Sequence, residues 1–285
     1  MELDPFQLAP LLLVAAMYAT RVRTLARRGR TTSRSKQAWF YSGIALLVVA
    51  VASPIHYLGE HRLLYMHMIQ HLLIGDLAAL ALVLGLDGPI LRPVLAFPPA
   101  KRLRWLGQPL VALPLWLANL CLWHIPGLYQ GALAHPALHA LQHQLFLLCG
   151  VLMWAAVIEP LPGPAWFGAG WRAVYVLAVR TAGAALANVF IWAAHPLYPW
   201  YAAGERVEGI APLGDQTIAG SIMLVEGSVV TLGVFIWLFL QWTREAELGA
   251  RLVELGHDPA RASRAARYGR SAAARGARQA GDPPS

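Results

Sequence analysis

Residues 63–86 read LLYMHMIQHLLIGDLAALALVLGL, and this stretch decides the fold class. It contains one acidic residue, Asp76, and neither Lys nor Arg. A helix of this length, at about 1.5 Å per residue, crosses the roughly 30 Å hydrocarbon core of a bilayer. The whole chain is 57% hydrophobic and only 13% charged, unlike an ordinary soluble domain. We therefore expect an all-α, polytopic membrane protein.

Seven apolar segments of this kind occur along the chain. We place them at Phe6–Thr24, Gln37–Ser53, Leu63–Leu86, Leu110–Ile125, Ala137–Ile158, Ala173–Ala194 and Asp215–Trp242. The fourth is the weakest because it is short and contains Pro114. We expect one bundle of seven transmembrane helices over residues 1–243. Residues 244–285 form an Arg/Ala-rich tail, which we expect to be largely disordered after about residue 259 because it has few apolar residues.

The basic residues predict the orientation in the membrane. The loops after the first, third, fifth and seventh spans, together with the tail, hold 20 of the 23 Lys and Arg residues. The opposite loops hold only Arg62 and Arg206, and Arg180 lies inside the sixth span. Because basic loops stay in the cytoplasm, we expect the N-terminus outside and the C-terminus in the cytoplasm. The net charge of +8 then indicates topology in a bacterial inner membrane, not binding to nucleic acid.

The histidines gather at one end of the predicted bundle. Nine of the ten lie at or near the outer ends of the spans, namely His56, His61, His67, His71, His124, His135, His139, His143 and His195. Imidazole is a common metal ligand and titrates near neutral pH. Such a gathering therefore favours metal, haem or proton chemistry on the outer side.

The motif H-x-x-Q-H occurs twice, as His67–His71 in the third span and as His139–His143 in the fifth. Residues four apart lie on the same face of a helix, one turn from each other. Both spans run from outside to inside, and the pairs lie at similar depth below the helix starts. Two such helices can build one four-nitrogen metal site or two smaller sites.

Further ligands could come from neighbouring helix ends. His124 closes the fourth span, with Cys121 one turn deeper on the same face, and His195 closes the sixth span. Met66 and Met68 flank His67, and thioethers together with imidazoles suit Cu(I). Adjacent helical residues point about 100° apart, so at most one of these methionines can share a site with His67. Taken singly, each of these accessory positions is as well explained by packing or by an interfacial location.

Several polar groups lie inside the predicted membrane region, where they are costly. Asp76 and Arg180 both fall toward the cytoplasmic half, and we expect an ion pair between them. Glu226 lies deep in the seventh span, where it could neutralise a bound cation, carry a proton or serve packing alone. Asp215 opens the seventh span, and helix capping is its plainest role.

The residues resemble a known family, the seven-helix membrane assembly factors of caa3-type cytochrome c oxidase, the CtaG-type proteins. The resemblance covers roughly residues 36–243. Its motifs are Tyr65–His71 followed by Asp87-Gly88-Pro89, Leu122–Tyr129, His139–Phe146, Trp154 and Asp215–Met223.

This resemblance implies a copper-handling chaperone and not an enzyme. The positions that match the family's polar residues are His67, His71, His124, His139, His143 and Asp215. It implies that copper, as Cu(I), comes from a periplasmic donor and passes to subunits of cytochrome c oxidase. The Arg-rich tail is not part of the family pattern.

Two other classes remain open from the residues. One is electron transfer through a b-type haem held by imidazoles such as those of His71 and His143. The other is an intramembrane zinc hydrolase with three histidines on the metal and an acidic base. Asp215 could be that base only if the seventh helix packs against the third and fifth.

Overall fold

A computed structural model describes residues 5–269, and the described residues form helices joined by short loops, without strands. In chain order the helices are α1 (Pro5–Arg27), α2 (Arg34–Ala52), α3 (Pro54–His61), α4 (Leu64–Leu84), α5 (Gly88–Ala96), α6 (Pro98–Arg102), α7 (Pro109–Trp123), α8 (Pro126–Ala134), α9 (Pro136–Ile158), α10 (Ala169–Trp192), α11 (Ala202–Glu208), α12 (Pro212–Glu254) and α13 (Pro259–Tyr268). Short 3₁₀ turns occupy Leu103–Gly107 and Pro199–Tyr201.

Six of these helices are long and apolar enough to cross a membrane, namely α1, α2, α4, α9, α10 and α12. They match six of the predicted spans. The predicted fourth span is a bent pair in which α7 and α8 meet at 75°, so the described chain has seven candidate spans if this pair counts as one. The bend falls before Pro126, because proline removes a backbone donor and disfavours a helical residue before it.

Helix α4 lies in the middle of the bundle, packed against α2, α9 and α12. It is the most buried of the candidate spans, and α1 is the least buried. Within α4, residues Leu73–Ala78 form a π-turn, with one extra residue in the hydrogen-bonded ring. The H-x-x-Q-H pair of α4 lies in the α-helical part before this turn.

The approach of α9 to α4 depends on a glycine. A Cβ atom on Gly150 would collide with the carbonyl oxygen of Gly75 in the π-turn. A glycine therefore lets the two backbones cross in direct contact. This crossing lies two turns beyond His143 on α9 and one turn beyond His71 on α4, so it brings the two histidine pairs to facing positions.

The chain after α12 differs from our expectation. Instead of disorder from about residue 259, helix α13 packs against α12, and Arg267 forms an ion pair with Glu159 at the end of α9. Tyr268 also donates to Glu159. These contacts supply the stabilisation that the composition alone does not. Residues 270–285 of the predicted tail lie outside the described residues, and the orientation of the termini stays a prediction.

Candidate metal site

Four buried histidines meet between α4 and α9. His67, His71, His139 and His143 each offer a ligand atom, and the four atoms all lie within 4.8 Å of one another. They come from the two H-x-x-Q-H motifs, so the structure confirms that the pairs converge. We call these residues the four-histidine group.

The α4 pair is in direct contact. Nε2 of His67 lies 2.8 Å from Nε2 of His71, so one ring donates to the other. Nδ1 of His67 lies 3.1 Å from the carbonyl oxygen of Gly59, which can only accept, so this nitrogen carries the proton. The Nε2 lone pair of His67 is thereby directed into the group. The hydroxyl of Tyr201 donates to the same carbonyl at 2.9 Å.

The α9 pair is oriented by a carboxylate from outside the two helices. Nδ1 of His139 lies 2.6 Å from Oε1 of Glu60 on α3. An ionised carboxylate only accepts hydrogen bonds, so Nδ1 of His139 carries the proton and Nε2 keeps its lone pair. Metal-binding histidines are commonly oriented by such a carboxylate on the far ring nitrogen.

Several nitrogens of the group have no hydrogen-bond partner. Within the described residues, Nε2 of His139, Nε2 of His143 and Nδ1 of His71 are all buried and unpaired. Buried polar atoms are normally satisfied, because leaving one unpaired costs about 1–3 kcal/mol. A bound cation would satisfy the Nε2 lone pairs of His139 and His143, whereas Nδ1 of His71 lies on the opposite side of its ring from the nitrogen that contacts His67. The donor set therefore fits a metal ion.

Sequence reasoning missed the role of Glu60. Burial raises the pKa of this carboxyl, but the hydrogen bond from His139 and the charges of His139, His56 and His61 outweigh burial and hold the pKa below its usual value. His56 is four residues before Glu60 on α3, with its Nδ1 3.5 Å from Oε1. This H-x-x-x-E spacing was the available signal, although it does not reveal the contact with His139.

His124 lies beside the group. Its ring centroid is 6.2 Å from that of His71, and its Nδ1 donates to the carbonyl oxygen of Leu120 at 2.7 Å. Its Nε2 is buried and has no partner among the described residues. His124 is therefore a fifth imidazole next to the four, with a lone pair that is not otherwise used.

Asp215, a candidate metal ligand from the sequence, is not among the residues of the four-histidine group. Its two oxygens accept from the backbone N–H groups of Leu64 and Tyr65 at 2.8 and 2.9 Å. These are donors of the first turn of α4 that have no partner within the helix. Asp215 therefore caps α4 from a neighbouring helix.

The sulfur side chains considered from the sequence differ in their surroundings. Met68 packs in an apolar cluster with Tyr129 and Phe190, and Met66 is half-buried. The side chain of Cys121 is exposed on the bundle surface. All of the donors within the four-histidine group are nitrogens.

The two remaining accessory candidates, His195 and Glu226, do not belong to the four-histidine group. His195 is exposed beyond the end of α10, away from the four-histidine group, and Glu226 lines a cavity deeper in the bundle. The expected ion pair between Asp76 and Arg180 is not formed between these two described residues. Asp76 accepts from Trp154 Nε1 at 2.7 Å, and Arg180 donates to the carbonyl oxygen of Leu224 on α12 at 2.7 Å.

These features define a membrane helix bundle in which the buried four-histidine group lies near the starts of α4 and α9. The family model of the cytochrome c oxidase caa3 assembly factor, Caa3_CtaG, matches residues 16–245. The chain belongs to this family, as the resemblance of its motifs predicted. Comparison with curated proteins and with solved structures found no match.

Proposed function

We propose that the chain binds copper at the four-histidine group and delivers it during assembly of cytochrome c oxidase. The family is one of assembly factors for this enzyme, which contains copper centres. The single observation that carries the proposal is the convergence of four buried imidazoles, with unpaired nitrogens, from two helices. Imidazole nitrogens bind copper well, and an all-nitrogen set accepts both Cu(I) and Cu(II).

Copper is the cargo in this account, and release is by ligand exchange. The α4 pair and the α9 pair sit on separate helices, so an incoming ligand can replace one pair while the other still holds the ion. Glu60 supplies one negative charge at the edge of the group through His139. That charge offsets part of the cost of a cation in the apolar interior. A periplasmic donor and an oxidase subunit in the inner membrane are the expected partners.

The test is copper binding by purified protein under anaerobic conditions. We expect about one tightly bound copper per chain, and its loss on replacing His67, His71, His139 or His143 by Ala. His195→Ala is the matched control, because this exposed imidazole lies outside the group. Full copper stoichiometry in all four variants would reject the assignment, provided that thermal unfolding shows each variant to be folded.

The haem alternative meets a steric difficulty at this site. A porphyrin held between His71 and His143 needs a flat space between the two rings. The ring centroids of His71 and His143 are only 5.5 Å apart, and the ring of His67 lies 4.2 Å from that of His71. His139 lies 4.1 Å from His143 on the other side. Purified protein without a Soret band would agree with this geometry.

The zinc alternative differs from the copper proposal in the ion and in the need for a base. The carboxylate expected to act as base, Asp215, instead caps α4. Elemental analysis of the protein as purified distinguishes zinc from copper directly, and the same sample serves for the optical spectrum.

A further inference from the structure

A second polar region lies deeper in the bundle, separate from the four-histidine group. Helices α4, α7, α9, α10 and α12 enclose a cavity of about 80 Å³. Leu72, the residue after His71, forms part of its wall. The charged or titratable side chains among its lining residues are Asp76, Arg180 and Glu226. A cavity of this size has room for several water molecules, and the three charged side chains in its mainly apolar wall would be their hydrogen-bond partners.

Two carboxyl groups from different helices share this cavity. Asp76 of α4 and Glu226 of α12 both line it. A hydrogen bond from Trp154 Nε1 at 2.7 Å fixes the Asp76 carboxyl. Two ionised carboxylates in one small cavity repel each other, so the pair is favoured when one of the two holds a proton.

The charge count in the cavity agrees with one proton. Arg180 is the only cationic side chain among the lining residues, which include two carboxyl groups. Its guanidinium donates to Leu224 O and to Ser228 Oγ, both at 2.7 Å, which holds it against α12 beside Glu226. An uncompensated charge is costly inside a membrane. One arginine, one carboxylate and one protonated carboxyl give a net charge of zero.

Two local features of the backbone accommodate these three charged side chains. A Cβ atom on residue 227 would lie 2.6 Å from Nη1 of Arg180, so Gly227 makes room for the guanidinium beside Glu226. Asp76 lies in the π-turn, a rare element that is frequently found at functional sites. Oε1 of Glu226 is buried and has no hydrogen-bond partner among the described residues, so it is the atom that water or a proton would satisfy.

We propose that Asp76 and Glu226, with Arg180, form an intramembrane proton-binding site that holds one proton and exchanges it with water in the cavity. The proposal does not depend on copper binding. It assigns a role to three charged groups that metal binding at the four-histidine group does not use. The ligand is the proton itself, delivered by water, and no other reactant is needed.

The experiment is infrared spectroscopy of the full chain in lipid nanodiscs at neutral pH, without added metal. We expect a carbonyl band of protonated carboxylic acid that shifts in D₂O within minutes of solvent exchange. The band should lose the intensity of one carboxylic acid in both Glu226→Gln and Asp76→Asn. The control is Glu254→Gln at the exposed end of α12, which should leave the band unchanged.

Three outcomes would overturn the proposal, and the last of them is a band in the unmodified protein that does not shift in D₂O. The first is the absence of any protonated-carboxyl band in the unmodified protein. The second is a band that keeps its full intensity in both cavity variants. If either variant fails to fold, the unmodified protein still decides, because a band that does not shift in D₂O would exclude exchange with cavity water. Copper stoichiometry does not enter this test, so its failure is distinct from failure of the metal site.

Discussion

Glu60 holds His139 through a 2.6 Å contact between Oε1 and Nδ1, and this contact directs the other nitrogen of the ring toward three further histidines. The carboxylate comes from α3, a short helix that is outside both H-x-x-Q-H helices. The site therefore depends on a residue that binds no metal in our account. Replacing Glu60 should therefore weaken metal binding at the four-histidine group without removing a ligand.

For Glu60 we predict that Glu60→Ala lowers copper affinity by about 10- to 100-fold, the usual effect of losing the group that orients a metal-binding histidine. Glu60→Gln should lose less, because its amide oxygen can still accept from His139. Competition against a chromophoric Cu(I) chelator measures both. Glu208→Gln is the control, since that carboxylate pairs with Arg62. Unchanged affinity in Glu60→Ala would show that His139 needs no such partner.

For Asp215 we predict a loss of stability with retention of copper. Asp215→Ala removes the acceptor of two backbone N–H groups at the start of α4, and caps of this kind contribute about 0.5–2 kcal/mol. The melting temperature should fall while the copper stoichiometry stays at one per chain. Asp215→Asn keeps one acceptor oxygen and should fall less. Loss of copper at an unchanged melting temperature would instead make Asp215 a ligand.

For Gly150 we predict that Gly150→Ala is destabilising, because the added methyl group would collide with the carbonyl of Gly75. Overpacking of this kind costs about 1–3 kcal/mol. The displacement should also separate α9 from α4 and weaken copper binding. Gly233→Ala on α12 is the matched control, because a Cβ there meets no neighbour within 4 Å. Equal melting temperatures for the two variants would argue against close contact of these helices.

For Glu205 we predict a dependence of stability on pH. Burial, and then the nearby charge of Asp215, raise the pKa of Glu205 from 4.5 to about 7. Between these values the folded chain binds more protons than the unfolded chain, so stability should fall as the pH rises from about 5 to about 7. Below that range both states are protonated, and above it both are ionised.

The measurement is the melting temperature of Glu205→Gln against that of the unmodified protein at several pH values. Glu205→Gln keeps a hydrogen-bond donor toward Asp215 but cannot ionise. Its melting temperature should therefore fall much less between pH 5 and 7 than that of the unmodified protein. Glu208→Gln, on the same helix, should show the same fall in melting temperature as the unmodified protein. A decline that is identical in all three proteins would assign the effect to other groups.

Sequence patterns predicted the features that depend on local periodicity. The long apolar segments predicted the six candidate spans that are single helices. The i, i+4 spacing and the matched depth predicted that His67 and His71 would face His139 and His143. The bend after Trp123 was not predicted, since Pro114 and not Pro126 was singled out from the sequence in this span. In each of these cases the signal lies within a few residues of the feature itself.

Other contacts between distant segments were not predicted. The pairing of Glu60 with His139 and the capping of α4 by Asp215 depend on how separate helices pack. The same is true of Asp76, which the sequence paired with Arg180, whereas in the structure it accepts from Trp154 and shares a cavity with Glu226. A charge inside a membrane requires a partner, but composition does not say which one.

The most direct test of the central claim is X-ray absorption at the copper edge of protein loaded with one equivalent of Cu(I). Our account predicts a first shell of imidazole nitrogens without sulfur, and loss of bound copper when the four histidines at 67, 71, 139 and 143 are replaced together by Ala. A sulfur scatterer in the first shell, or a full equivalent of copper in the fourfold variant, would contradict it.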